Sequence, residues 1–197
     1  MWNRKYMALA LAAVAGCLIA AVIGMMSFAS AADVATSDLD NQKVYPFRSM
    51  NKGSVFLFLS ADCPISNRYA PEIERLQAEF GGKGMAFWTV YPNTDESPEK
   101  IRKHTQEYFH NVHVLRDPQH ALVKISQVKV TPEAAVFLPN GKLIYHGRID
   151  DRNVDFGVER QQTTRHDLEE VLTALAEGRQ ITPASTTAVG CYISGLP

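Results

Sequence analysis

The sequence is poor in cysteine and in excess charge, and both shortages exclude classes of protein. Three cysteines in 197 residues are too few for a disulfide-stapled scaffold, and they lack zinc-finger spacing. Twenty lysines and arginines nearly balance 21 acidic residues, so the basic surface typical of nucleic-acid binding is absent. Phosphate-loop, dinucleotide-binding and Ser-His-Asp signatures are also missing. With 46% hydrophobic and 21% charged residues, the chain has the balance of one compact globular domain.

The chain begins with a basic and then apolar segment that is typical of an export signal. Arg4 and Lys5 precede the uncharged residues 7–28, and Ala29-Ser30-Ala31 fits a small-residue cleavage site. Residues 7–28 are also long enough to span a bilayer, which leaves an uncleaved membrane anchor as an alternative. Cys17 stands in a lipobox-like setting, so lipid attachment is a third interpretation. Each of them places the folded part in the periplasm or otherwise outside the cytoplasm, where disulfides persist.

Hydrophobic periodicity predicts alternating strands and helices. Such alternation is typical of an α/β domain with a parallel central sheet, and Asn140-Gly141 between two apolar runs predicts a hairpin that adds antiparallel strands. We therefore expect a signal or anchor at residues 1–31, one domain at 32–178 and a tail at 179–197 that carries Cys191. The predicted strands are 54–59, 85–91, 112–115, 134–138 and 142–146, and the predicted helices are 66–80, 98–109, 119–126 and 165–177.

Cys63 lies at the predicted junction between the end of a buried strand and the start of a helix. Ligands bind at this junction in open α/β sheets, and the free N–H groups of a first helical turn favour a thiolate over a thiol. Pro64 suits that first turn because it has no N–H to lose. Since the thiolate is the attacking species in disulfide exchange and in peroxide reduction, Cys63 is the candidate nucleophile.

The segment from Cys63 to Pro71 resembles the active-site helix of the thioredoxin family. Ser66 stands where that family has its second cysteine, and Pro71 where it has a helix-kinking proline. Thr131-Pro132 resembles the family's cis-proline loop, which lies beside the active cysteine and pairs with the substrate backbone. The resemblance is greatest to the redoxin branch, meaning the alkyl hydroperoxide reductase/thiol-specific antioxidant and TlpA-like exported proteins. Motifs shared with exported members of that branch lie at residues 62–67, 131–134, 147–151 and 190–193.

The resemblance implies a thioredoxin-like fold with a central mixed sheet flanked by helices, and a thiol–disulfide oxidoreductase that needs no cofactor. In that interpretation Cys63 attacks, Cys191 or an external thiol resolves the intermediate, and Thr131 and Pro132 position the substrate. The implied partners are exported protein thiols and disulfides, or a peroxide, with an external thiol as reductant and residues 7–28 as a candidate membrane tether. Cys191 also has two plainer alternatives: a structural disulfide partner, or an idle residue in a mobile tail.

Several departures from the family patterns keep other functions open. Ser66 excludes a vicinal disulfide, Leu57 replaces the buried acid of thioredoxins, and the carboxylate of Asp62 is expected to oppose ionisation of Cys63. A peroxiredoxin-like peroxidase is one alternative, and it requires an arginine such as Arg148 or Arg152 at the thiolate. A non-catalytic copper- or haem-protein assembly factor is the other.

The histidines and the turn at residues 147–151 have plainer interpretations. His110, His113 and His120 are expected to be solvated loop residues rather than metal ligands, and the sequence predicts no metal site. The turn is expected to hold a structural Arg–Asp pair.

Overall fold

The computed structural model describes residues 34–49, 52–182 and 184–196. Its helices are α1 (Pro64–Gly81), α2 (Pro98–Tyr108), α3 (Ala121–Ser126) and α4 (Asp167–Ala176), with a 3-10 helix at Pro46–Ser49. The strands are β1 (Thr36–Ser37), β2 (Lys43–Val44), β3 (Gly53–Phe58), β4 (Met85–Tyr91), β5 (Val114–Arg116), β6 (Val130–Thr131), β7 (Glu133–Phe137), β8 (Leu143–Gly147), β9 (Asn153–Asp155), β10 (Val158–Glu159), β11 (Ala184–Ser185) and β12 (Cys191–Tyr192). The expected signal or anchor at residues 1–31 lies outside the described residues.

The sheet has eight strands in the order β11-β8-β7-β3-β4-β5-β1-β2. Strands β3, β4 and β5 are parallel, as the alternating pattern predicted. The predicted hairpin forms β7 and β8, in which β7 runs antiparallel to β3 and β8 runs antiparallel to β7. Two further pairs lie outside this sheet, β9 with β10 and β6 with β12.

Both faces of the sheet are covered, and the side chains of β3 point alternately to one face and to the other. Val55 and Leu57 face a core formed with α1, α2 and α4, whereas Phe56 and Phe58 face a second core with α3 and the 3-10 helix. A strand buried on both faces has the continuous apolar sequence seen here. Each large apolar side chain buried in this way contributes about 1.5–3 kcal/mol, so the two cores fix the carboxyl end of β3 firmly.

The helix boundaries follow from recognisable caps. Ser97 accepts a hydrogen bond from the Lys100 N–H at 3.2 Å and Pro98 opens α2, as expected for a cap followed by a first-turn proline. Helix α1 begins at Pro64, with Cys63 as its N-cap residue, and contains Pro71. It packs through Tyr69, Ile73, Leu76 and Phe80.

The tail is part of the fold and adds strands at two places. Strand β11 runs parallel to β8 at one edge of the large sheet, and β12 pairs antiparallel with β6. In the part of the chain that the structure describes, none of the helices is long and apolar enough to cross a membrane.

Candidate functional site

Cys63 lies in a fully buried position at the start of α1. Its side chain has 0% exposure, and its Sγ lies 3.1 Å from the carbonyl oxygen of Thr131, to which the thiol donates. The backbone of Cys63 is extended while Pro64 is already helical, so the cysteine stands at the strand-to-helix junction that the sequence predicted.

Thr131-Pro132 is a cis peptide bond, and it lies directly against this sulfur. Both residues are buried, and they join β6 to β7, which itself pairs with β3. The structure therefore brings Cys63, Pro64, Thr131 and Pro132 together at one end of β3.

Cys191 completes the site from the tail. Its Sγ lies 2.7 Å from the Sγ of Cys63, and both residues are free cysteines. Cys191 is directly opposite Thr131 in the β6–β12 register, and the Thr131 hydroxyl donates to the Cys191 carbonyl oxygen at 3.4 Å. Since a disulfide needs the two sulfurs at about 2.05 Å, only a small movement separates this pair from a covalent bond.

The pKa values of the two thiols are shifted in opposite directions. Burial raises the pKa of Cys63, but hydrogen bonds from the Cys191 thiol and from the backbone and hydroxyl of Ser66 outweigh it, so the net pKa lies below the ordinary value. Burial and the hydrogen bond to Cys63 raise the pKa of Cys191. Cys63 therefore loses its proton first, while Cys191 keeps its own proton and donates a hydrogen bond to the Cys63 sulfur.

Gly190 permits this close arrangement. A Cβ atom at position 190 would lie 2.3 Å from the carbonyl oxygen of Thr131 and 3.1 Å from the nitrogen of Pro132. Both contacts are with backbone atoms, so a larger residue could not be accommodated by side-chain rotation. The tail backbone and the cis-proline loop touch because position 190 is glycine.

Hydrogen bonds hold the tail on both sides of Cys191. Upstream, the hydroxyl of Thr186 contacts the Arg148 N–H at 3.1 Å and the Tyr145 hydroxyl at 2.7 Å. Downstream, the Ile193 N–H donates to the Lys129 carbonyl oxygen at 3.2 Å and the Ser194 N–H to Asn93 at 2.9 Å. The tail is therefore held against the rest of the domain on both sides of Cys191.

A buried carboxyl group that sequence reasoning missed supports the turn before Cys63. Glu96 accepts hydrogen bonds from the Ser60 hydroxyl at 2.7 Å and from the Ala61 N–H at 2.8 Å. Burial raises the pKa of Glu96. The residue precedes the cap of α2 in a polar turn, where nothing in the local sequence distinguishes it from a solvated acid.

The carboxylate that was expected to oppose the thiolate has its own partner. Asp62 is exposed and forms an ion pair with Lys100, which compensates its charge beside Cys63. Leu57 is buried in the core, so the position of the thioredoxin acid is purely apolar here.

The candidate peroxidase arginines are bound to carboxylates. The Arg148 Nε lies 2.7 Å from Asp167, and the Arg152 guanidinium lies 3.5 Å from Asp150, whose other oxygen accepts from the Tyr69 hydroxyl. Arg148 and Asp150 of the turn at residues 147–151 are therefore each held in an Arg–Asp pair, although the partners, Asp167 and Arg152, lie outside the turn.

The histidines are dispersed among local contacts. His110 contacts Glu74 and His113 lies against the Trp88 ring. The expectation that His120 is solvated is wrong, because its side chain is buried and contacts the Pro92 carbonyl oxygen at 3.0 Å. A different set, in which Glu72, His166 and Glu169 place ligand atoms within 4.8 Å of one another, is already bridged by Arg75. Its geometry is that of an ion-pair network.

The fold and this site define a thioredoxin-like α/β protein, and comparison with known proteins gives its family. The sequence model of the Redoxin family matches residues 29–168, more than half of the chain, so the chain belongs to the Redoxin family. A comparison with curated proteins found no match.

Solved structures support the same fold at low sequence identity. An uncharacterized conserved protein from Geobacillus kaustophilus is similar with a TM-score of 0.70 and 24% identity, covering 85% of this chain and 91% of its own. A hypothetical protein from Sinorhizobium meliloti has a TM-score of 0.70 and 20% identity, covering 83% and 91%. A secreted disulfide oxidoreductase from Mycobacterium tuberculosis has a TM-score of 0.52 and 14% identity, covering 75% and 97%.

Proposed function

We propose that this redoxin is an exported thiol–disulfide oxidoreductase whose redox couple is Cys63 and Cys191. The observation that carries the proposal is the 2.7 Å distance between the two sulfurs, combined with a lowered pKa for Cys63 and a raised pKa for Cys191. The oxidised state of this couple is the Cys63–Cys191 disulfide. The reduced protein and a partner disulfide exchange two electrons and two protons, giving the oxidised protein and a partner dithiol.

The chemistry of the site supports disulfide exchange. Cys63 supplies the thiolate that closes the internal disulfide, because a thiolate and not a thiol attacks sulfur. Ser66 occupies the place of a second cysteine in α1 and instead stabilises the thiolate by hydrogen bonds. Thr131 and Pro132 position the couple through the Thr131 carbonyl oxygen and the pairing with β12.

Export of the protein is supported by the N-terminal sequence and by the character of similar proteins. The basic and apolar residues 1–31 have the order of an export signal or anchor. Proteins of similar structure include the secreted oxidoreductase of M. tuberculosis and an exposed lipoprotein thioredoxin of Streptococcus pneumoniae. The partners are then exported protein thiols and disulfides, in a compartment where a disulfide couple persists.

Turnover of single-cysteine variants tests the proposal. We expect Cys63→Ser and Cys191→Ser each to abolish catalysed disulfide exchange with a model protein disulfide, because each removes half of the couple. Ser185→Ala is the matched control, since it changes an exposed tail residue without removing sulfur, and it should retain turnover. Full turnover in either cysteine variant would reject the proposed couple.

A further inference from the structure

We propose, building on the Cys63–Cys191 couple of the proposed function, that partner thiols exchange with this protein through the sulfur of Cys191. The mixed disulfide then forms on the tail cysteine, and Cys63 is the sulfur that is released. This order differs from the sequence-based expectation, in which Cys63 meets the substrate and Cys191 resolves the intermediate. Three observations support it: the exposure of the two cysteines, the stability of the leaving thiolate and the attachment of the tail.

The two cysteines differ in their exposure to solvent. Cys63 has 0% exposure, and its sulfur is in contact with the Thr131 carbonyl oxygen at 3.1 Å and the Cys191 sulfur at 2.7 Å. Cys191 is partly exposed, and the next residue, Tyr192, is 84% exposed. Disulfide exchange requires contact between the incoming thiolate and the sulfur that it attacks, and Cys191 offers that contact in the folded protein.

The leaving group favours the same direction of attack. When a thiolate attacks a disulfide, the sulfur that departs leaves faster as its own pKa falls. Burial raises the pKa of Cys63, but hydrogen bonds from Ser66 stabilise its charged form when it departs as a thiolate. Attack at Cys63 would instead expel Cys191, whose charged form is disfavoured by burial.

The tail also occupies the edge at which a substrate backbone would pair. Strand β12 lies antiparallel to β6 with Cys191 opposite Thr131 and Tyr192 opposite Val130. The contacts of Thr186 and Ser194 hold the tail on both sides of this pairing. While the tail is docked, an extended partner segment cannot pair with β6 or reach Cys63 along it.

Exchange with a dithiol partner takes two successive attacks. One partner thiolate attacks Cys191 of the Cys63–Cys191 disulfide, the internal S–S bond breaks, and Cys63 leaves as a thiolate. The second partner thiolate attacks the partner sulfur of the mixed disulfide and expels Cys191, which takes up a proton. The partner loses two electrons and the protein gains them. A second disulfide, of a protein or of glutathione, reoxidises the protein by the reverse sequence. Cys191 loses its proton and attacks that disulfide, which expels one of its sulfurs as a thiolate, and the Cys63 thiolate then attacks Cys191 and expels the other.

Trapping the mixed disulfide on the oxidised full-length protein tests the order of exchange. The protein is oxidised, mixed with reduced glutathione, quenched at short times with an alkylating reagent and mapped by mass spectrometry. We expect glutathione on Cys191 with the alkyl group on Cys63, in excess over the opposite labelling by on the order of tenfold. Glutathione on Cys63 in equal or greater yield would overturn the proposal.

The same labelling under denaturing conditions is the control. Unfolding removes the difference in burial and hydrogen bonding, so the preference for Cys191 should largely disappear if the fold causes it. A preference that persists in denaturant would assign it to local sequence and overturn the structural argument. If no Cys63–Cys191 disulfide forms in the first place, the proposed function fails. If the disulfide forms but glutathione is found on Cys63, only the proposed order of exchange fails.

Discussion

Replacing Gly190 with alanine tests how far the site depends on the docked tail. The added Cβ would meet the Thr131 carbonyl oxygen at 2.3 Å, its carbonyl carbon at 2.7 Å and the Pro132 nitrogen at 3.1 Å. Ordinary contacts between carbon atoms lie at about 3.5–4.0 Å, so the tail must retreat by roughly 1 Å. We expect this overpacking to destabilise the protein by about 1–3 kcal/mol.

The same retreat should separate the two sulfurs. A misplacement of about 1 Å typically costs reacting groups about a hundredfold in rate, and we expect a loss of that order in the closure of the Cys63–Cys191 disulfide. The assay follows disulfide closure after addition of oxidised glutathione by quenching and mass analysis, and urea unfolding measures the stability.

Gly81→Ala is the matched control for this substitution. A Cβ at position 81 meets nothing within 4 Å, and the residue is helical. Alanine there should stabilise the protein by at most about 1 kcal/mol and leave disulfide closure unchanged. If Gly190→Ala closes the disulfide at the wild-type rate and unfolds at the wild-type urea concentration, the close packing of the tail against the cis-proline loop plays no part in the chemistry.

Three further predictions concern acidity and ion pairing. Ser66→Ala should raise the pKa of Cys63, since it removes a hydrogen bond to the thiolate, and the thiolate ultraviolet absorbance measures this. Burial raises the pKa of Glu96, so ionisation of this carboxyl group opposes folding. As the pH rises from the ordinary carboxyl pKa through the raised one, the wild-type protein should therefore lose stability relative to Glu96→Gln. Arg148→Ala should cost about 1–3 kcal/mol of stability, because the buried carboxylate of Asp167 loses its guanidinium partner. The pKa of Cys63 should not change in this variant.

Controls separate these effects from general damage. Ser126→Ala removes a buried hydroxyl that has no hydrogen-bond partner, so it should leave the pKa of Cys63 at its wild-type value. An unchanged Cys63 pKa in Ser66→Ala would remove Ser66 from the site. A constant stability difference across pH would show that Glu96 does not titrate as described, and a shifted Cys63 pKa in Arg148→Ala would place that arginine at the thiolate after all.

Much of the core fold could be predicted because the strands and helices carry long and regular apolar patterns. The run that forms β3 is buried on both faces, and α1 presents apolar residues at helical spacing. The junction at Cys63 follows directly from those two elements. The cis bond at Thr131-Pro132 was expected only from the resemblance to the thioredoxin family. The presence of a proline makes a cis peptide bond accessible, but it does not determine whether the fold adopts the cis or the trans isomer.

The contribution of the tail could not be predicted because it depends on contacts distant in sequence. Strand β12 contains two residues, too few for any periodicity, and it is defined by pairing with β6 some 60 positions earlier. The short strand at Lys43–Val44 ends before a 3-10 helix at Pro46–Ser49, because Pro46 has no backbone N–H to donate to a sheet. Glu96 was missed for a similar reason, since its partners Ser60 and Ala61 belong to a different turn.

The central claim is that Cys63 and Cys191 are one redox couple, and a non-reducing peptide map tests it most directly. The protein is equilibrated in a glutathione redox buffer, alkylated and digested without reductant. We predict a single cross-linked pair of peptides that contains Cys63 and Cys191, replaced by two alkylated peptides as the buffer becomes more reducing. Two separate peptides across the whole range, each alkylated or carrying glutathione, would contradict the account.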